Sequence, residues 1–203
     1  MGWLTMPFSS MGGHKTATAY LDAQFTWENA DENGAIKGYK VLASSCPGNR
    51  VYYAAVQETV DGVQKSIFAA ICLVHWSPRS KTGEQFGYKD MTEHAGPNEA
   101  RCPRHILDLL TPTDNAYALD WRRRCLDHLR RRARPVEDGD RIRLAEPLRF
   151  TDGLECAEFI VVKQGRKLRF RHPESHGLYR ISRFRERDWS IVPVPKIHKM
   201  LAA

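Results

Sequence analysis

Apolar residues recur at helical spacing near the start of the chain, over residues 16–28. A helix with 3.6 residues per turn places them on one face. Thr16 suits the N-cap position because its hydroxyl can accept a hydrogen bond from a free amide of the first turn. The pattern predicts an amphipathic helix that the polar stretch ADENGAIKG ends. The apolar positions are Ala17, Tyr20, Leu21 and Phe25.

Three apolar runs follow, separated by residues that favour turns. They cover residues 39–45, 50–60 and 63–76. Asp61-Gly62, between the second and the third run, is a strong signal for a tight hairpin of type I′. The runs therefore predict an antiparallel meander, to which we expect residues 85–91 to add a fourth strand.

Two helices are predicted after the meander, at residues 103–110 and 114–134. Pro103 suits the start of the first helix, where a missing amide hydrogen is tolerated, and Asp114 is expected to cap the second. The face of the second helix that is predicted to be buried carries Tyr117, Ala118, Trp121, Cys125, Leu126 and Leu129. The opposite face carries a row of arginines, the arginine comb: Arg123, Arg124, Arg130, Arg131 and Arg134.

A domain boundary is predicted at the polar stretch that begins with Pro135. Upstream, residues 1–134 are expected to form an α+β domain. Downstream, five short strand-like segments favour a small barrel of the SH3 or OB type over residues 136–195, with a tail at 196–203. The predicted fold class is α+β: an antiparallel β-meander flanked by helices, followed by a small SH3/OB-like β-barrel.

Charge is distributed unevenly along the 203 residues, whose formal net charge is +7. Residues 1–120 carry 10 Lys or Arg and 13 Asp or Glu, a net of −3, whereas residues 121–203 carry 21 and 11, a net of +10. A basic half favours contact with a polyanion such as DNA or RNA. No apolar run has the length of a membrane-spanning helix, and five widely spaced cysteines are typical of reduced thiols. We therefore expect a cytoplasmic protein without membrane contact.

The segment MTEHAGPNEARCPRH, residues 91–105, concentrates residue types that serve catalysis. Cys102 is predicted at the N-cap of helix 103–110, where free amides and the helix dipole lower the pKa of a thiol. With His94, His105 or His75 as base and Glu93 or Glu99 to orient it, Cys102 would form a cysteine-dependent enzyme site. A buried structural thiol is the alternative that we favour. Neither the ligand spacing of a zinc site nor a nucleotide-binding motif is present, so no metal and no cofactor are predicted.

The downstream strands interleave arginines with aromatic residues, as in KLRFRH and LYRISRFRERDW. Side chains alternate between the two faces of a strand. Outward-facing aromatics could stack bases, but the commoner arrangement buries them and leaves the arginines to contact phosphates. We favour the arginine comb as the main phosphate-binding element because a helix face fixes the spacing of its side chains. The aromatics are Phe170, Tyr179, Phe184 and Trp189, and the additional candidates for phosphate contact are Arg169, Arg171, Arg180, Arg183 and Arg185.

The stretches GGHKTATAYLDAQF, VLASSCPGNRVYYAAV and FGYKDMTEHAGPNEARCP resemble a family of uncharacterised proteins. The family is found on proteobacterial plasmids, integrative elements and phages, and is grouped as a domain of unknown function. The resemblance covers mainly residues 1–110. It implies an accessory protein of a mobile element, a setting in which anti-restriction and anti-CRISPR proteins are common, and it assigns no catalytic residue.

The expected function is that of a mobile-element accessory protein that binds DNA, RNA or a nucleoprotein complex through its basic half. Inhibition of host defence is a specific form of this expectation, but mimicry of DNA is disfavoured because a mimic would be acidic. Two alternatives stay open. One is the cysteine-dependent enzyme centred on Cys102, and the other is an adaptor whose barrel binds a partner protein.

Overall fold

The computed structural model describes residues 2–77, 83, 85–165 and 167–193. The fold is α+β, as predicted, and consists mostly of antiparallel sheet, including a curled half-barrel. The chain divides into two compact units, Met1–Leu129 and Arg130–Ala203. This division falls inside a long helix, shortly before the boundary predicted at Pro135. The predicted tail at 196–203 and the last two residues of the predicted barrel lie outside the described residues.

A six-stranded antiparallel sheet forms the first unit. Its strands are β1 (Leu4–Met6), β2 (Trp27–Ala30), β3 (Ile36–Ser45), β4 (Val51–Val60), β5 (Val63–Trp76) and β6 (Phe86–Thr92), in the spatial order β1-β6-β5-β4-β3-β2. The predicted meander is confirmed as β3 to β6. Asp61 and Gly62 join β4 to β5 with φ values of 50° and 75°, as a type I′ turn requires.

One face of this sheet is covered by helix α1 (Ala17–Gln24). The amide of Ala19 donates to Oγ1 of Thr16 at 3.1 Å, so Thr16 is the predicted N-cap. The prediction was wrong at the other end, because the helix stops at Gln24 and β2 begins at Trp27. Antiparallel pairing of β2 with β3 satisfies the backbone there and outweighs the helical pattern. The core on this face contains Ala17, Leu21, Tyr52, Val56 and Phe86.

The other face packs against two helices, α2 (Arg104–Leu107) and α3 (Ala116–Ala133). Helix α2 is shorter than predicted, and its N-cap is Pro103 rather than Cys102. The amide of Ala118 donates to Oδ1 of Asn115 at 2.9 Å, so Asn115 takes the capping role predicted for Asp114. The core on this face contains Tyr53, Ala55, Ala69, Ile71, Cys102, Ile106, Trp121 and Cys125.

The predicted burial of Tyr117 in α3 was also wrong. Tyr117 was predicted on the buried face but is 67% exposed. Its ring lies beside Gly96, where an added Cβ would come within 3.2 Å of the ring. Ala118, Trp121 and Cys125 on the same predicted face are fully buried.

The second unit contains a five-stranded antiparallel sheet. Its strands are β7 (Arg141–Arg149), β8 (Glu155–Gln164), β9 (Lys167–Arg171), β10 (Leu178–Tyr179) and β11 (Trp189–Ile191), in the spatial order β10-β9-β8-β7-β11. One face holds a core of Ile142, Leu144, Phe159, Val161, Phe170, Phe184 and Trp189. Among the described residues, no helix has both the length and the apolar character needed to cross a membrane.

Candidate nucleic-acid interface

Strand β9 carries three cations on one face. Lys167, Arg169 and Arg171 alternate with Leu168 and Phe170, and alternate side chains of a strand point to opposite faces. Phe170 is buried in the core and Leu168 packs against it, so the three cations lie on the outward face. Within the part of the chain that the structure describes, none of the three forms a side-chain hydrogen bond or ion pair.

A cleft of about 360 Å³ lies beside this row of cations. Lys167 and Arg169 line it together with Arg180, which directly follows β10. The other described lining residues are Leu168 and Ile181, so no described residue of the lining is acidic. Arg180 likewise has no side-chain partner among the described residues. We call Lys167, Arg169 and Arg180 the cationic cleft. Three positive charges around one concavity favour an anionic group there.

The positive surface continues across β8 to β7. In the register of the sheet, Ile160 lies between Arg141 and Arg171, which places both arginines on the outward face. Arg143 occupies the same face opposite Glu158. We call the outward face with these side chains the basic face. Its cations are Arg141, Arg143, Lys167, Arg169, Arg171 and Arg180.

Glu158 is the acidic residue that interrupts this surface. Its carboxylate accepts a hydrogen bond from Nε of Arg143 at 2.8 Å and from Nε of Arg141 at 3.0 Å. These bonds, that of Arg143 foremost, hold the pKa of Glu158 below its ordinary value. Arg141 and Arg143 therefore share one negative charge, whereas the cations of β9 and the cleft are paired with no described acidic residue.

The aromatic residues predicted in these strands face the other way. Phe170, Phe184 and Trp189 are 1%, 5% and 3% exposed, and all three belong to the core. Tyr179 packs against Phe150 and donates its hydroxyl hydrogen bond to Asp152 at 2.8 Å. The alternation of arginines and aromatics thus separates an outward basic surface from an inward aromatic core.

Most arginines of the comb are engaged within the protein. Arg123 and Arg124 both bind the carboxylate of Asp120, at 2.5 and 2.8 Å, and lower its pKa. Arg124 also donates to the carbonyl of Pro97 at 2.9 Å. The guanidinium of Arg134 lies 5.1 Å from the centre of the Trp189 ring and donates to the carbonyl of Trp189.

The other predicted arginines differ in whether their side chains interact with the rest of the protein. Arg185 donates to the carbonyl oxygens of Arg132 and Arg134 at 3.1 and 2.8 Å, which ties it to the helix end. Nε of Arg131 is buried and has no hydrogen-bond partner in the part of the chain that the structure describes. Arg130 is exposed on the last turn of α3 and has an interaction within the protein. Arg183 is exposed in the loop between β10 and β11 with a φ of 52°.

The segment 91–105 is built around a buried ion pair. Glu93 is fully buried, and its carboxylate oxygens accept from Nε and Nη2 of Arg122 at 2.6 and 2.7 Å. The amide of Ala69 donates to the same carboxylate at 3.2 Å, and Nη1 of Arg122 donates to the carbonyl of Thr111 at 2.7 Å. The bidentate geometry occupies the donors and acceptors that catalysis would need. Sequence reasoning missed Arg122, which no local motif marks.

Cys102 and His94 are not arranged as a nucleophile and its base. Cys102 is fully buried in the core beside Cys125 and Trp121, and burial raises the pKa of its thiol. His94 is exposed, with its ring 6.3 Å from that of Phe68. A buried, protonated thiol is a poor nucleophile. Among the described residues, no group of three or more His, Cys, Asp or Glu is placed to hold a metal ion.

Fold and site together define a two-unit α+β protein whose second unit presents a basic sheet face. Residues 112–184 of the chain match the family model of a domain of unknown function, DUF6927. The match includes α3 and strands β7 to β10, and it lies outside residues 1–110, on which the resemblance to mobile-element proteins rests. No curated protein and no solved structure matched the chain.

Proposed function

We propose that the protein binds nucleic acid through the basic face of its second unit. The observation that carries this proposal is a set of four cations, on β9 and directly after β10, that have no side-chain partner among the described residues: Lys167, Arg169, Arg171 and Arg180. Arginine and lysine side chains that are not engaged in the fold are available to neutralise phosphates. In the mobile-element setting that the resemblance implies, such a surface suits a protein that occupies the DNA or guide RNA of a host defence complex.

The proposal moves the main contact from the arginine comb to the sheet. Arg123 and Arg124 already share the carboxylate of Asp120, and each would have to leave it in order to bind a phosphate. The cations of the cationic cleft need no such exchange. The backbone of Lys167 and Arg169 is also held in place by the pairing of β9 with β8.

We further propose that the second unit is an SH3-like rather than an OB-like barrel. Strands β7 to β10 form a meander of sequential neighbours, and β11 returns to pair with β7. A single 3-10 turn, Phe184–Glu186, directly precedes β11. This order and this turn are typical of SH3-like barrels. The basic face is then the outer surface of the barrel wall.

A salt titration tests the proposed function. If four phosphates are contacted, log Kobs for a duplex should fall with log[salt] with a slope of about −3.6, at 0.9 per contact. Affinity should drop roughly 100-fold between about 50 and 200 mM salt. Fluorescence anisotropy with a labelled oligonucleotide measures both quantities. Absence of binding to any oligonucleotide near 50 mM salt would refute the proposal.

Removal of the carboxylate on the basic face should strengthen binding. In Glu158→Gln, Arg141 and Arg143 lose their shared partner and become available to phosphates. We expect tighter binding and a salt slope that is steeper by up to about 1.8, for two added contacts. Glu174→Gln in the β9–β10 turn removes the same charge from an exposed residue that forms no ion pair with a described residue, and it serves as the matched control. Equal effects of the two variants would mean that net charge, not release of the arginines, changes the affinity.

A further inference from the structure

We infer that the basic face binds double-stranded nucleic acid through its two phosphate backbones, without reading the bases. This inference rests on the proposed function and names the substrate class of the same surface. Three features of the second unit support it: the burial of its aromatic side chains, the two-dimensional spread of its cations, and the fixed spacing that the strands impose.

Proteins that bind single strands offer aromatic side chains on which successive bases stack. In the described part of the second unit, every Phe, Tyr and Trp is buried or half-buried. The large hydrophobic side chains that are exposed there are aliphatic, Leu178 and Ile191. Bases splayed from a single strand would therefore meet guanidinium and ammonium groups and aliphatic carbons, but no exposed aromatic ring of these strands.

The cations cover an area rather than a line. Strands β7 to β10 span three inter-strand spacings, about 14 Å. Along β9, the distance from Lys167 to Arg171 is roughly 13 Å for four residues of strand. A single strand follows one path and would engage one row of this surface. A duplex presents two backbones and a charge every 1.7 Å or so along its axis, about twice the density of one strand.

The Cα positions of the cations on β9 are set by the sheet and not by the ligand. Arg169 lies opposite Val162, and Arg171 lies between Ile160 and Leu178. A duplex holds its phosphates at a fixed spacing that these Cα positions can match, whereas a flexible strand must first be ordered. Contacts to phosphates carry no sequence information. Binding should consequently depend on the duplex form and hardly on its sequence.

Competition between defined oligonucleotides tests the inference. The probes are mixed-sequence DNA duplexes of about 20 base pairs, an RNA duplex of the same length, and unstructured oligo-dT with the same number of phosphates. We expect the duplexes to bind at least about 10-fold more tightly than oligo-dT near 0.1 M salt. Three DNA duplexes of unrelated sequence should agree within about twofold, because only phosphates are contacted.

The possible outcomes distinguish failure of the duplex preference from failure of the proposed nucleic-acid binding. If neither duplex nor oligo-dT binds near 50 mM salt, the proposed function itself fails. If oligo-dT binds as tightly as the duplexes, or if the duplex sequences differ widely in affinity, nucleic-acid binding stands and the inference is overturned. Tight binding of both DNA and RNA duplexes supports it. An exposed-site variant, Arg104→Gln, should retain the ranking, because Arg104 is paired with Asp108 at 2.7 Å in the first unit.

Discussion

Replacing the three side chains of the cationic cleft with glutamine should weaken duplex binding by about 100-fold or more near 0.1 M salt. The variant is Lys167→Gln, Arg169→Gln and Arg180→Gln. Each lost phosphate contact removes roughly an eightfold electrostatic factor at that salt concentration, because affinity varies with salt to the power of about −0.9 per contact. The fold should persist, since the three side chains hold no partner in the described structure. Anisotropy titrations and thermal unfolding measure the two effects.

Two control variants show whether a loss of affinity depends on where the cations lie or only on how many positive charges are removed. Lys15→Gln, Lys65→Gln and Arg104→Gln lower the net charge by the same amount at exposed positions of the first unit, and should change the affinity little. Arg123→Gln with Arg124→Gln tests the arginine comb and should also have a small effect, because both side chains already bind Asp120. If the comb variant weakens binding as much as the cleft variant does, the interface has been assigned to the wrong element.

Replacing Arg122 with methionine should destabilise the first unit by about 3 kcal/mol or more. The carboxylate of Glu93 is 0% exposed and receives two hydrogen bonds from Arg122. Without that partner, the amide of Ala69 would be its one remaining hydrogen-bond donor among the described residues, which leaves a buried charge largely uncompensated. The side chain of Arg122 is 18% exposed, so solvent weakens the ion pair. We therefore expect a loss of stability at the lower end of the range measured for buried pairs. Urea denaturation measures the free energy of unfolding.

A second substitution separates loss of the ion pair from loss of packing. Arg122→Met combined with Glu93→Leu removes both charges, and should recover much of the stability because an apolar pair of similar volume can replace a buried ion pair. Arg123→Met is the matched control: its side chain is 64% exposed, and such changes usually stay within about 0.5 kcal/mol. An unchanged denaturation midpoint in Arg122→Met would show that the pair does not stabilise this unit.

The parts of the fold that sequence predicted well are those with local signals. Asp61-Gly62 set the β4–β5 hairpin because both residues tolerate positive φ. Thr16 marked the start of α1 for an equally local reason. Strands β1 and β2 were not predicted because their stability comes from pairing with β6 and β3, which short exposed segments such as WENA do not reveal.

The opposite placement of arginines and aromatics was predictable from the sequence, but the partners of the individual arginines were not. Alternation along β9 indicated that arginines and aromatics occupy opposite faces, and the burial of Phe170 agrees with it. Which arginines have partners within the protein could not be derived, because those partners are distant in the sequence. The carbonyl of Pro97, which receives Arg124, is 27 residues away. Glu93 and Arg122 are separated by 29 residues, so nothing near Glu93 in the sequence showed that its carboxylate is occupied.

Arginine-selective chemical modification of the wild-type protein, with and without duplex, tests the location of binding most directly. Phenylglyoxal modifies accessible guanidinium groups, and mass spectrometry of the digested protein reports the extent at each arginine. We expect a saturating duplex to protect Arg169, Arg171 and Arg180, while Arg104 and Arg123 react to the same extent as in the free protein. Unchanged modification of Arg169, Arg171 and Arg180 in the presence of bound duplex would contradict the assignment of the basic face as the nucleic-acid interface.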